Sequence, residues 1–199
     1  MRHAPESLCG IKRILHFWLG ILLYDLGDYA EACKAFKKEL EIMPSFRDAA
    51  WELGSACSKL GLVNELIEAY QTALDIDPCC IQALFGLGNV YLRQGNYTEA
   101  IEFYEDALFI SPELDHSALL ANDEDVKSMV ASIYINLGFA WILQKNPNKA
   151  QESFRNCQKI KTNGILYEFA DSYLGLLTEL SDKMDSVDWK IIDFPLEGN

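Results

Sequence analysis

One period governs this chain. Leu-Gly pairs recur at Leu19-Gly20, Leu53-Gly54 and Leu87-Gly88, 34 residues apart. Pro44, Pro78 and Pro112 keep the same interval, and so do Gly27, Gly61 and Gly95. Three markers on one period specify a tandem array of a single supersecondary unit, because self-similarity at such a length is the mark of repeat architectures. Within the unit the pattern is helical. In the third unit Leu84, Leu87, Gly88 and Tyr91 fall three and four apart, which puts them on one face of a helix. Gly95-Asn96 breaks that helix, and Ala100, Tyr104, Ala107 and Leu108 form the apolar face of a second one that Pro112 ends. Gly88 and Ala100 are small enough for the two backbones to approach closely, with Tyr91 and Tyr104 filling the space beside them. Neither helix can bury its apolar face alone, so each pair must stack on its neighbours.

These residues resemble the tetratricopeptide-repeat family, whose signature sets Trp, Leu, Gly and Tyr in a first helix and Ala, Phe and Pro around a second. The first unit supplies His16, Leu19, Gly20, Leu23, Ala32, Phe36 and Pro44. The second supplies Ala50, Leu53, Gly54, Cys57, Leu66, Tyr70 and Pro78, and the third supplies Leu84, Leu87, Gly88, Tyr91, Ala100, Tyr104 and Pro112. A fourth unit keeps the internal spacing with Tyr134, Leu137, Gly138, Trp141, Ala150 and Phe154, but Gly138 lies 50 residues after Gly88. No proline closes it, and Cys157 stands where alanine is usual.

The resemblance implies an all-α fold, a right-handed superhelical solenoid of antiparallel helix pairs. Its repeats span 13–46, 47–80, 81–114 and 131–164, after an N-terminal extension at 1–12. In the insertion at 115–130, Asp115 to Asn122 are expected to loop out, and Asn122 or Asp123 to cap a lengthened first helix. Asn146-Pro147 reads as the N-cap and first residue of the last repeat's second helix. A capping helix is expected over 165–180, with Leu166, Phe169, Tyr173, Leu176, Leu177 and Leu180 at helical spacing. The tail at 181–199 is acidic but carries Trp189, Ile191, Ile192, Phe194 and Leu196, either docked on the body or kept for binding.

Charge narrows the partners. The chain has 17 Lys and Arg against 30 Asp and Glu, a net charge of −13. It lacks the basic surface that neutralises nucleic-acid phosphates or docks on anionic lipid. The six cysteines, at 9, 33, 57, 79, 80 and 157, form no Cys-x-x-Cys and are read as reduced, mostly buried thiols of a cytoplasmic protein. Ile14 to Tyr24 is nearly continuous apolar sequence after Lys12 and Arg13, and has the look of a secretory signal. It is too short to span a bilayer and falls in register with the repeat, so it is read as the first core helix. His3, His16 and His116 have no motif-level pairing with a nucleophile or carboxylate, and the glycines are spaced for helix packing rather than phosphate binding. The expectation is a protein without catalysis, cofactor or metal.

In the tetratricopeptide family the first helices of successive pairs line a concave surface. Transferring the family's ligand-facing register gives Phe17, Trp18, Ile21 and Tyr24 in the first unit and Trp51 and Ser55 in the second. It gives Phe85, Asn89 and Arg93 in the third, and Ile135 and Phe139 in the fourth; Glu52 and Asn136 stand in the same register. The family's basic clamp for the carboxy-terminal peptides of heat-shock chaperones is missing, because its positions hold Phe17, Ile21, Glu52, Gln82 and Gly86. The resemblance therefore implies an interaction scaffold that takes a peptide or apolar protein segment in an aromatic-lined groove. Two alternatives stand beside it. One is a secretion-type bacterial chaperone for an apolar client, suggested by size and charge; the other is a self-assembling scaffold, homo-oligomeric through the tail.

Overall fold

A computed structural model describes residues 15–110, 124–160 and 165–180. Among these residues the chain forms nine α-helices and no strand. They are α1 (Leu15–Asp25), α2 (Tyr29–Ile42), α3 (Arg47–Lys59), α4 (Val63–Ile76), α5 (Ile81–Gln94), α6 (Tyr97–Ile110), α7 (Glu124–Leu143), α8 (Pro147–Lys159) and α9 (Ile165–Leu180). Two compact units divide the chain, Met1–Gly86 and Leu87–Asn199, with the division inside α5. In the first unit α1 packs on α2, α2 on α3 and α3 on α4. In the second, α6 packs on α7, α7 on α8, and α9 on both α7 and α8. The insertion's loop, its cap at Asn122 or Asp123, and the tail all lie outside the described residues.

The two helices of each pair are joined by one repeated turn. The N–H of Gly27 bonds to Tyr24 C=O at 2.9 Å, and that of Asp28 reaches back to Leu23 C=O at 2.9 Å. Gly61 with Leu62, Gly95 with Asn96, and Lys145 with Asn146 make the same two bonds. This closure satisfies the last carbonyls of the first helix and needs a left-handed residue. Gly27, Gly61 and Gly95 adopt φ of 80°, 69° and 80°; in the fourth pair Lys145 takes the position at φ 60°. The following helix is then capped by a side chain where one is available: Asp28 accepts from Glu31 N–H, and Asn146 from Lys149 N–H with Pro147 in the first turn.

Each pair is locked by a ring seated on the glycine of the Leu-Gly marker. A Cβ added at Gly20 would lie 2.5 Å from the Phe36 ring, one at Gly88 2.5 Å from Tyr104, and one at Gly138 2.7 Å from Phe154; Gly54 meets Tyr70 in the same way. Close packing of this kind leaves no volume for a methyl group, and it explains why the marker recurs. Tyr104 fills the space beside Gly88, while Tyr91 instead stacks on Phe103 at 5.3 Å.

The core of the second unit gathers Phe139, Ile142, Phe154, Cys157, Ala170 and Leu177, so α9 covers the last repeat. Val126–Leu143 within α7 is long and apolar enough to cross a membrane, but 56% of it is buried against the protein, as befits a core helix. Cys33, Cys57, Cys80 and Cys157 are buried and Cys79 is exposed. One expectation is corrected in part: α1 is a helix in register with the repeat, but of its side only Gly20 is buried. Leu15, Leu19 and Leu22 are exposed, because burial of an apolar side chain needs a neighbour to pack on. At its first turn the fully buried Glu39 of α2 accepts from Phe17 N–H at 3.2 Å, placing a carboxylate where a helix N-terminus favours one.

Candidate protein-binding surface

In the first unit, α1 and α3 bring Tyr24, Asp25, Asp48, Glu52 and Ser55 into one electrostatic neighbourhood. Burial first, and then the charges of Asp25 and Asp48, push the Glu52 carboxyl up to about 7. Burial and Glu52 raise the Tyr24 phenol as well. Asp48 is held by Arg47 at 2.6 Å, and Arg47 also grips Asp77 at 2.7 Å. Among the described residues Glu52 makes no hydrogen bond or ion pair, and the charges that act on it are those of Asp25 and Asp48. Beside it Ser55 Oγ lies 3.5 Å from Tyr70 Oη, and burial pushes the Tyr70 phenol up to about 12. The Tyr70 ring is itself pinned between Gly54 and Gly86.

The candidate residues of this unit divide into two kinds. Tyr24, Trp51 and Ser55 are half-buried, with part of each side chain at the surface. Ile21 and Phe85 are half-buried too. Phe17 does more packing than presenting: its ring lies 4.8 Å from Phe46 and 6.0 Å from Phe36. Trp18 touches Phe17 edge-on at 5.5 Å but is otherwise exposed.

In the second unit Asn89 and Arg93 extend from α5. Tyr104 Oη donates to Asn89 Oδ1 at 2.7 Å, and Asn136 Nδ2 donates to the same oxygen at 2.8 Å. Those two bonds fix the Asn89 amide and leave its NH₂ and the Asn136 carbonyl available. Ile135 and Phe139 require a correction, because both are buried. Phe139 sits edge-on to Tyr173 at 4.9 Å and to Phe154 at 5.7 Å, with Phe169 at 6.3 Å. The capping helix α9 covers the place where a ligand would have to touch it. Glu52 and Asn136 stand in the same register as the candidate residues, and their signal is charge and hydrogen bonding rather than contact area. Among the described residues no three His, Cys, Asp or Glu side chains gather as a metal site.

Comparison with known proteins decides the family. Tetratricopeptide-repeat models match residues 14–46, 48–78 and 81–114. The chain belongs to the tetratricopeptide-repeat family. No curated protein matches it by sequence. Among solved structures it is similar to PilF of Pseudomonas aeruginosa, at 22% identity and a TM-score of 0.68, over 89% of this chain and 72% of that one. It is also similar to MamA (41-end) of Desulfovibrio magneticus RS-1, at 18% identity and a TM-score of 0.68, over 88% of both chains. The TPR2B domain of yeast Sti1, solved in a complex with pHsp70, aligns at 18% identity and a TM-score of 0.52, over 60% of this chain and 94% of that domain. These likenesses, all at low identity, establish an all-α tetratricopeptide solenoid. Tetratricopeptide domains are interaction modules, and this chain is a protein-interaction scaffold.

Proposed function

We propose that the first unit binds a protein segment carrying an apolar side chain next to a Lys or Arg, on the α1–α3 face that holds Tyr24, Trp51, Glu52 and Ser55. The observation that carries this reading is Glu52. A half-buried carboxylate beside two further acids, with no cation paired to it among the described residues, costs stability unless something answers it. A bound ammonium or guanidinium supplies the missing charge, while Trp51 and Tyr24 offer flat apolar area at small entropic cost. No bond-making residue is required, and the activity is non-catalytic. The Sti1 domain shows that such a fold can hold a partner; the chemistry here is different, since Phe17, Ile21, Glu52, Gln82 and Gly86 stand where the heat-shock clamp would need its basic and asparagine residues.

A peptide-display selection on the intact protein tests the idea. Recovered sequences should pair a basic residue with an aromatic or aliphatic one. Trp51→Ala and Glu52→Gln should each weaken their binding by about tenfold or more, the effect of losing an interfacial anchor. If both variants hold the same peptides as tightly as the parent, this face is not the binding site.

A further inference from the structure

α1 carries a second, separate surface. Leu15, Trp18, Leu19, Leu22 and Leu26 are 59%, 59%, 45%, 56% and 73% exposed. Their spacing of three and four places them along one side of the helix, and Leu26 N–H continues the last turn by bonding to Leu22 C=O at 3.0 Å. The repeat shows what this side is for. Leu19 corresponds to Leu53, Leu87 and Leu137, and Leu22 to Ala56, Val90 and Ala140; all six are buried. A first helix that has a predecessor also packs on the second helix before it, α3 on α2 and α7 on α6. α1 thus presents a stacking face with no helix of the described chain upon it. It also extends that face. Trp18 stands where the second and fourth repeats have Glu52 and Asn136, and Leu26 where the third and fourth have Gln94 and Gln144, while Gly86 and Leu60 hold those two places in the remaining repeats.

We infer that this stripe docks a second copy of the chain, α1 against α1 about a two-fold axis. Three observations select that occupant. The surface continues the stacking interface already used inside the molecule, so helix-on-helix packing fits it. It is apolar from end to end and needs no complementary polar group, which makes it self-complementary in the way a two-fold contact requires. A chain of net charge −13 repels its own copy over most of its surface, yet α1 has one carboxylate, Asp25, and no Lys or Arg. Approach through α1 brings the fewest like charges together. In the antiparallel crossing Leu19 and Leu22 lie nearest the axis, and Leu15 faces Leu26 of the other copy.

Sedimentation of the full chain measures this directly. The parent should run at twice its monomer mass at micromolar concentration, and more firmly as added salt screens the repulsion. L19E with L22E should run as a monomer, and so should L19K with L22K, while circular dichroism shows both to be folded. Mixed in equal amounts, the acidic and basic variants should recover the double mass with an association constant at least tenfold above either alone, because opposite charges then meet at the axis. A parent that stays monomeric overturns the inference, whatever other segment or partner covers the stripe. So does an acidic variant that keeps the parent's mass, or a mixture that fails to associate.

Discussion

Ser55 in the first unit and Phe139 in the second hold the same place in the repeat, with opposite outcomes. Ser55 is half-buried and meets the hydroxyl of Tyr70; Phe139 is fully buried and meets the bare ring of Phe154. The other two repeats obey the same rule. Asn89 takes the hydroxyl of Tyr104, and Ile21 lies over the register of Phe36. A tyrosine is used where the inner side chain is polar, and a phenylalanine where it is apolar. The ring on the second helix therefore matches the polarity of the first-helix side chain in its register. Burial is set separately: Ile21, Ser55 and Asn89 stay half-buried, and Phe139 is covered by α9.

The sharpest way to break this comparison is to empty the sealed position. Phe139→Ala removes a ring packed against Phe154, Phe169 and Tyr173, and should destabilise the second unit by about 3–5 kcal/mol. Trp51→Ala, at a half-buried position of the first unit, should cost about 1 kcal/mol or less. Denaturant melts of the two variants settle the matter. Equal losses would mean that Trp51 is core and that the first unit is no more open than the second.

The contrast also marks how far the amino-acid sequence could be read. The period, the Leu-Gly marker and the turn glycines are local rules, and they led directly to the helix pairs. Lys145 in the left-handed turn position of the fourth pair shows how firmly the surrounding turn imposes that rule. The fate of Phe139 was hidden because its register position is the same as that of Ser55. Only the packing of α9, a long-range contact, turns that register position into core. The exposure of α1 was hidden for the converse reason: an apolar run predicts burial, but burial needs a neighbour, and none is encoded in the helix itself. Glu52 was visible as a residue, while its raised carboxyl depends on Asp25 from another helix.

Glu52 gives the next largest effect. Its carboxyl rises from an ordinary 4.5 to about 7 in the folded chain, so the folded state holds that proton more tightly than the unfolded state. This favourable contribution is complete below about 4.5, is lost as pH rises through 7, and does not return above it. Water around a half-buried group screens most of it, leaving about 1 kcal/mol. Glu52→Gln should therefore stabilise the first unit by about that amount at pH 8 and change little at pH 4. Thermal melts across this range read both values. An unchanged slope would place the charge in open solvent and remove the reason for an open acidic face. With a cationic peptide present the order reverses, since binding should tighten as pH rises through 7 in the parent and lose that dependence in the variant.

The smallest effect tests the tyrosine rule itself. Tyr104 Oη is buried and makes a 2.7 Å bond to Asn89, whereas the Ser55–Tyr70 contact is long, at 3.5 Å. Tyr104→Phe should cost about 1 kcal/mol, the net worth of a well-made hydrogen bond. Tyr70→Phe should cost about half that or less, because the interaction weakens at such a distance. The loss at Tyr104 has a second consequence that a purely structural tyrosine would not produce. Asn89 Oδ1 would keep only the Asn136 amide as its donor, and the Asn89 side chain would be free to turn. An NMR measurement of the Asn89 side-chain amide should show that release in Tyr104→Phe and not in Tyr70→Phe. If both variants lose equal stability and the Asn89 amide is unmoved, the hydroxyls follow the space available rather than the polarity of the inner face.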